Sequence, residues 1–153
     1  GENIGLMSES GCPGIADPGA VIVKLAHEKG IQVVPLVGPS SILLALMASG
    51  MNGQSFAFNG YFPIDKNDKK QALKNFECLS QDKNQSQLFI ETPYRNNKLM
   101  EDLLQILQPS TYLCAACDIT LPTEYIKTKT VNEWKKEKAD LHNRPCIFII
   151  HKM

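Results

Sequence analysis

Gly11, Gly14 and Gly19 punctuate the stretch SESGCPGIADPG at residues 8 to 19, which also carries Pro13 and Pro18. Glycines let main-chain N–H and C=O groups come close to a ligand, and a helix start beyond such a loop offers unpaired donors. A second loop of this kind, VGPSS at 37 to 41, brings Gly38, Ser40 and Ser41. Taken singly, such glycines make tight turns; two glycine-rich loops at successive strand ends weigh evenly between turns and a binding cleft. A third loop, IETPYRNN at 90 to 97, presents the carboxylate of Glu91 and the guanidinium of Arg95. These two either pair with each other, stay solvated or face a ligand.

The chemistry these residues allow is the holding of a cofactor. Neither glycine loop has the spacing GxxxxGK[ST] or GxGxxG, so nucleoside triphosphate and dinucleotide readings lose support. There is no GxSxG elbow and no recognisable Cys/His pair, and Glu9 and Asp17 stand eight positions apart in a loop rather than as a catalytic carboxylate couple. Cys114 and Cys117 spell CxxC, but residues three apart on a strand point to opposite faces, so they read as core and no metal site is expected. His27, His142 and His151 lie far apart with no motif around them.

Regular elements must position the loops. IGLMS (4 to 8) and IQVVPLV (31 to 37) read as buried parallel strands; PGAVIVKLAHEKG and SILLALMASG read as the helices between and after them, closed by Gly30 and Gly50. Ser40 or Ser41 is placed to cap the second helix. After a linker, MNGQ, the pattern becomes strand SFAFNGYFP, polar helix DKKQALKNFECLSQ, strand QLFIE and helix NNKLMEDLLQILQ. Strands TYLCAACDI and EYIKTKT, short helix VNEWKKEK and strand RPCIFIIHK complete it. The expectation is an α/β protein: a partial parallel-sheet domain over 1–52, then a mixed-sheet α/β domain over 53–153. The first part is too small to bury both faces of its sheet.

Composition narrows the class. The 153 residues carry 16 Lys+Arg and 16 Asp+Glu, so no global field draws in nucleic acid, and RNA contact needs a local patch. No apolar run approaches the roughly 20 residues of a membrane span, and no signal segment is visible, which reads as a soluble cytoplasmic protein. Five cysteines, an odd number in apolar contexts, read as reduced thiols.

In order and spacing, SESGCPGIADPG, VVPLVGPSSILLALMASGM, FAFNGYFP and LFIETPYR resemble the tetrapyrrole methylase superfamily. Within it they resemble the branch of ribosomal RNA small-subunit methyltransferase I. The resemblance implies methyl transfer from S-adenosylmethionine held between two α/β domains, often in a homodimer. It implies that Ser8, Glu9, Ser10, Gly11, Pro13, Gly14 and Ile15 line the cofactor's first loop, that Ser40 and Ser41 sit in the second, and that Glu91 and Thr92 face the cofactor from the C-terminal domain. RPCIFII resembles the family's closing strand beneath the adenosine. Arg95 is the candidate substrate-binding residue; Lys66, Lys69, Lys70 and Lys74 either join it in one basic rim for small-subunit ribosomal RNA or, as lysines on a polar helix more often are, stay simply solvated. The family's opening glycine-rich strand loop and acidic segment have no counterpart here, so the chain resembles the C-terminal two-thirds of such an enzyme and no catalytic base is assigned. Two other readings compete: a methyltransferase for a small molecule such as a tetrapyrrole, and a catalytically silent binding or dimerisation fragment.

Overall fold

The computed structural model describes residues 2–9 and 12–153. It divides into two compact units, 1–41 and 42–153. Ser10 and Gly11, two of the expected cofactor contacts, lie outside the described residues.

In the first unit, helix α1 (Ala20–Glu28) forms as expected. It ends in a Schellman motif: Gly30 has φ 66°, and Ile31 N–H reaches back to Ala26 O at 2.9 Å. The strands expected at 4–8 and 31–37 do not form. A parallel strand needs hydrogen-bonding neighbours and covered faces, and two short apolar segments around one helix supply neither. Ile4, Met7, Val34, Leu36 and Val37 are accordingly exposed, and α1 buries no residue.

The second unit is a complete layered structure. Strands β1 (Phe56–Tyr61), β2 (Ser86–Ile90), β3 (Tyr112–Cys117), β4 (Tyr125–Thr130) and β5 (Cys146–His151) form one sheet in the order β1-β2-β5-β3-β4. The β1–β2 pair is parallel and the other three are antiparallel, which makes the sheet mixed. The overall class is therefore the α/β, mixed-sheet one that the pattern implied.

Alternation along the strands sends side chains to two apolar layers. On one face, Phe89, Leu113, Ala115, Cys117, Phe148 and Ile150 pack with residues of helices α3 (Lys66–Lys83) and α4 (Asn96–Ile106). Leu99 and Leu103 of α4 are fully buried there, and each such side chain is worth about 1.5–3 kcal/mol of transfer free energy. On the other face, Leu88, Cys114, Ala116, Ile147 and Ile149 meet Ile42, Ala45 and Leu46 of helix α2 (Ser41–Ser49). Cys114 and Cys117 thus point to opposite faces, as their spacing implied.

Local chemistry sets the helix ends. Asp65 caps α3 by accepting from Asn67 N–H at 2.8 Å and Asp68 N–H at 3.0 Å. Gly50, at φ 71°, follows the last residue of α2. Helix α5 is only Val131–Trp134, shorter than expected, with a Thr130–Glu133 capping box. Beyond it, the Glu137 carboxylate pairs with Lys127 and Lys129 of β4. Trp134 is anchored by its Nε1–H to Leu113 O at 2.8 Å.

Candidate functional site

Register puts the loops of interest in the second unit at one end of the sheet. Tyr61 pairs with Ile90, Ile90 with Ile147, and Ile147 with Ala116, so the C-terminal ends of β1, β2 and β3 and the start of β5 lie side by side. Ligands of α/β sheets bind beyond such carboxyl ends. Glu91 and Thr92 leave β2 there, and Pro93–Arg95 make one turn of 3-10 helix before α4.

Glu91 is buried, and its Oε1 accepts from its neighbour's N–H at 2.8 Å and hydroxyl at 3.2 Å. Its Oε2 makes no hydrogen bond to the described residues. Arg95 does not pair with Glu91; its guanidinium lies 5.2 Å from the centroid of the exposed Tyr94 ring. The expected basic rim loses one member, because Lys69 turns toward α4 and pairs with Asp102 at 3.5 Å. Lys66, Lys70 and Lys74 recur every four residues on one exposed face of α3.

In the first unit, the two glycine loops meet: the Cys12 thiol donates to Pro39 O at 3.4 Å. Ile15 N–H closes a turn on Cys12 O at 3.2 Å, with Gly14 at φ 79°. Gly19 has φ 138°, which strains any side chain, and a Cβ there would stand 2.7 Å from Leu6 Cδ2. Pro13, Gly14 and Ile15 line an open groove of about 550 Å³ together with Val23 and His27 of α1. Ser8, Glu9, Ser40 and Ser41 lie outside its lining; Ser8 and Ser40 are half-buried, Glu9 and Ser41 exposed.

Sequence reasoning missed the polar residues that build the sheet end. Arg144 donates from Nε to Asp118 Oδ2 at 2.8 Å and from Nη2 to Thr123 O at 2.5 Å, and it lies over the Tyr125 ring. The Asp118 carboxylate raises the Arg144 pKa further still. Asn96, fully buried at the start of α4, donates to Arg144 O at 2.6 Å, and Asn143 N–H donates to Pro93 O at 3.0 Å. No local pattern announces these partners, which lie 26 and 48 positions apart. Among the described residues no group of three or more His, Cys, Asp or Glu side chains could hold a metal ion, and no helix is long and apolar enough to cross a membrane.

Comparison with known proteins follows the same lines. Two solved structures share the fold: the methyltransferase CobJ, with TM-score 0.59 and 14% identity over 92% of this chain and 61% of that one, and uroporphyrin-III C-methyltransferase from Thermus thermophilus, crystallised with S-adenosylhomocysteine, with TM-score 0.53 and 15% identity over 92% and 62%. The fold is therefore that of the tetrapyrrole methyltransferases. In sequence the chain is a relative of the proteins named ribosomal RNA small subunit methyltransferase I. It is 33% identical to the Escherichia coli O157:H7 protein over 98% of this chain and 52% of that one. It is 40% identical to the Bacillus subtilis protein over 70% and 35%. The chain spans about half the length of the curated relatives it matches. No family model matches it.

Proposed function

We propose that this chain is part of an S-adenosylmethionine-dependent methyltransferase that modifies a ribose 2'-oxygen of small-subunit ribosomal RNA. The observation that carries the reading is the 33% identity to a small-subunit ribosomal RNA methyltransferase along 98% of the chain. The fold it shares with two methyltransferases supports it.

When bound, S-adenosylmethionine supplies a methyl group on a sulfonium, which is displaced in line. The protein's task is then to hold, orient and exclude water, which agrees with the missing triad. The turn at Cys12–Ile15 lets main chain approach the cofactor, and Ser8, Glu9, Ser40 and Ser41 serve the same loops, with Ser10 and Gly11 completing the first. Glu91 accepts from the cofactor through Oε2 while Thr92 locks its other oxygen. Arg95, beside Tyr94 and with the Lys66, Lys70 and Lys74 face of α3, contacts RNA phosphate. The assembly is a homodimer in the cytoplasm.

Calorimetry with S-adenosylmethionine and S-adenosylhomocysteine tests the cofactor, on this chain and on a longer form extended at its N-terminus. Absence of binding by both would sink the enzyme reading in favour of a silent module. Transfer of labelled methyl to isolated small subunits, mapped by loss of 2'-hydroxyl reactivity, tests the substrate. Transfer to a tetrapyrrole instead would give the alternative.

A further inference from the structure

Cys117 ends β3 and Cys146 begins β5, and the two are register partners across the antiparallel pair. One step outward, Asp118 N–H donates to Pro145 O at 3.0 Å. Asp118 and Pro145 are thus a hydrogen-bonded pair, and alternation along the ladder makes Cys117 and Cys146 a non-hydrogen-bonded one. In such pairs the Cα atoms approach to about 4.5 Å with both side chains on one face, and a disulfide spans Cα separations of about 4.4–6.8 Å. The two thiols are free and share one buried cluster. Cys114, the other half of CxxC, lies in the cluster on the opposite face and has no access to either.

We propose that Cys117 and Cys146 form an oxidisable dithiol, a modification site at which a small peroxide converts two thiols into one cross-strand disulfide. Cys117 is the attacking sulfur. The adjacent Cys146 thiol, together with the nearby Arg144 guanidinium, holds its pKa below the usual thiol value, while burial pushes Cys146 up. The Cys117 thiolate attacks one peroxide oxygen, the O–O bond breaks, and the departing hydroxide takes a proton and leaves as water. Cys146 then attacks the Cys117 sulfur, the S–O bond breaks, and a second water leaves. Two thiols and one hydrogen peroxide become one disulfide and two waters.

The test uses this chain with the two less buried thiols removed, Cys12→Ser and Cys78→Ser. It is treated with hydrogen peroxide, alkylated under denaturing conditions and mapped by mass spectrometry without reductant. The expected result is loss of the mass of two hydrogens, one peptide pair linked through Cys117 and Cys146, an alkylated Cys114, and reversal by dithiothreitol. Recovery of Cys117 and Cys146 both alkylated, both as sulfinic acids, or with Cys117 linked to Cys114, overturns the proposal. Adding Cys146→Ser should stop the reaction at a Cys117 sulfenic acid that dimedone traps. Should that variant fail to fold, the map of the parent background decides alone.

Discussion

Arg144 Nε sits 2.8 Å from Asp118 Oδ2, closing the sheet end where the chain leaves β3 and enters β5. The side chains are 24% and 10% exposed, so the pair is shielded from water without being sealed from it. Arg144→Ala leaves Asp118 a largely buried carboxylate whose only remaining side-chain donor among the described residues is Thr123, and about 2–3 kcal/mol of stability should be lost. Arg144→Lys should recover only part, since an ammonium cannot bridge Asp118 Oδ2 and Thr123 O as the guanidinium fork does. Urea unfolding with unchanged m-values would establish both figures; equal stability of Arg144→Ala and the parent would refute the assignment.

His151 should make stability depend on pH. Ser86 Oγ donates to Asn52 O at 2.8 Å, so the imidazole Nδ1 at 3.2 Å must be the donor to that hydroxyl. Burial lowers its pKa below the ordinary 6.5. The unfolded chain therefore binds the proton first: the contribution is fully present above about pH 6.5 and is lost as pH falls toward the folded value. His151→Gln should flatten the stability profile below about pH 6.5, measured by denaturant midpoints at falling pH.

Gly19→Ala should damage the first unit selectively. Its φ of 138° strains any side chain, and a methyl group there would also push Leu6 Cδ2 aside, at a cost of about 1–3 kcal/mol locally. Hydrogen exchange should rise around α1 while β3 and β5 stay protected; uniform loss of protection would contradict the division into two units.

Lysines of α3 separate by role. Lys70→Glu and Lys74→Glu should weaken small-subunit RNA binding and reduce its salt slope by about 1 for each phosphate contact removed. Lys69→Met should leave the slope unchanged and alter stability instead, because its partner is Asp102. Titrations at several salt concentrations distinguish these outcomes, and an unchanged slope in the charge reversals would remove the RNA face from α3.

What was legible in the sequence was local. The four-residue recurrence of Leu99, Leu103 and Leu107 and the apolar run CIFII each carry their own signal, and α4 and β5 form where that signal lies. IGLMS and IQVVPLV carry an equally strong strand signal and form none, because a strand exists only with a partner and β propensity says nothing about whether one is at hand. The sheet-end polar network was invisible for the converse reason: Asp118, Arg144 and Asn96 mean little until the fold brings distant positions together. Glu91 stood out because it ends an apolar strand, while its self-contained bond to Thr92 had no spelling in the chain.

The strand order β1-β2-β5-β3-β4 places β5, which follows the other four in sequence, in the middle of the sheet. Until residues through His151 have emerged from the ribosome, β1–β2 and β3–β4 can exist only as two separate ribbons, each with an open edge where β5 belongs. Completion of the unit is thus a late, single event in synthesis. A nascent chain arrested before Cys146 would carry two adhesive edges rather than one finished sheet.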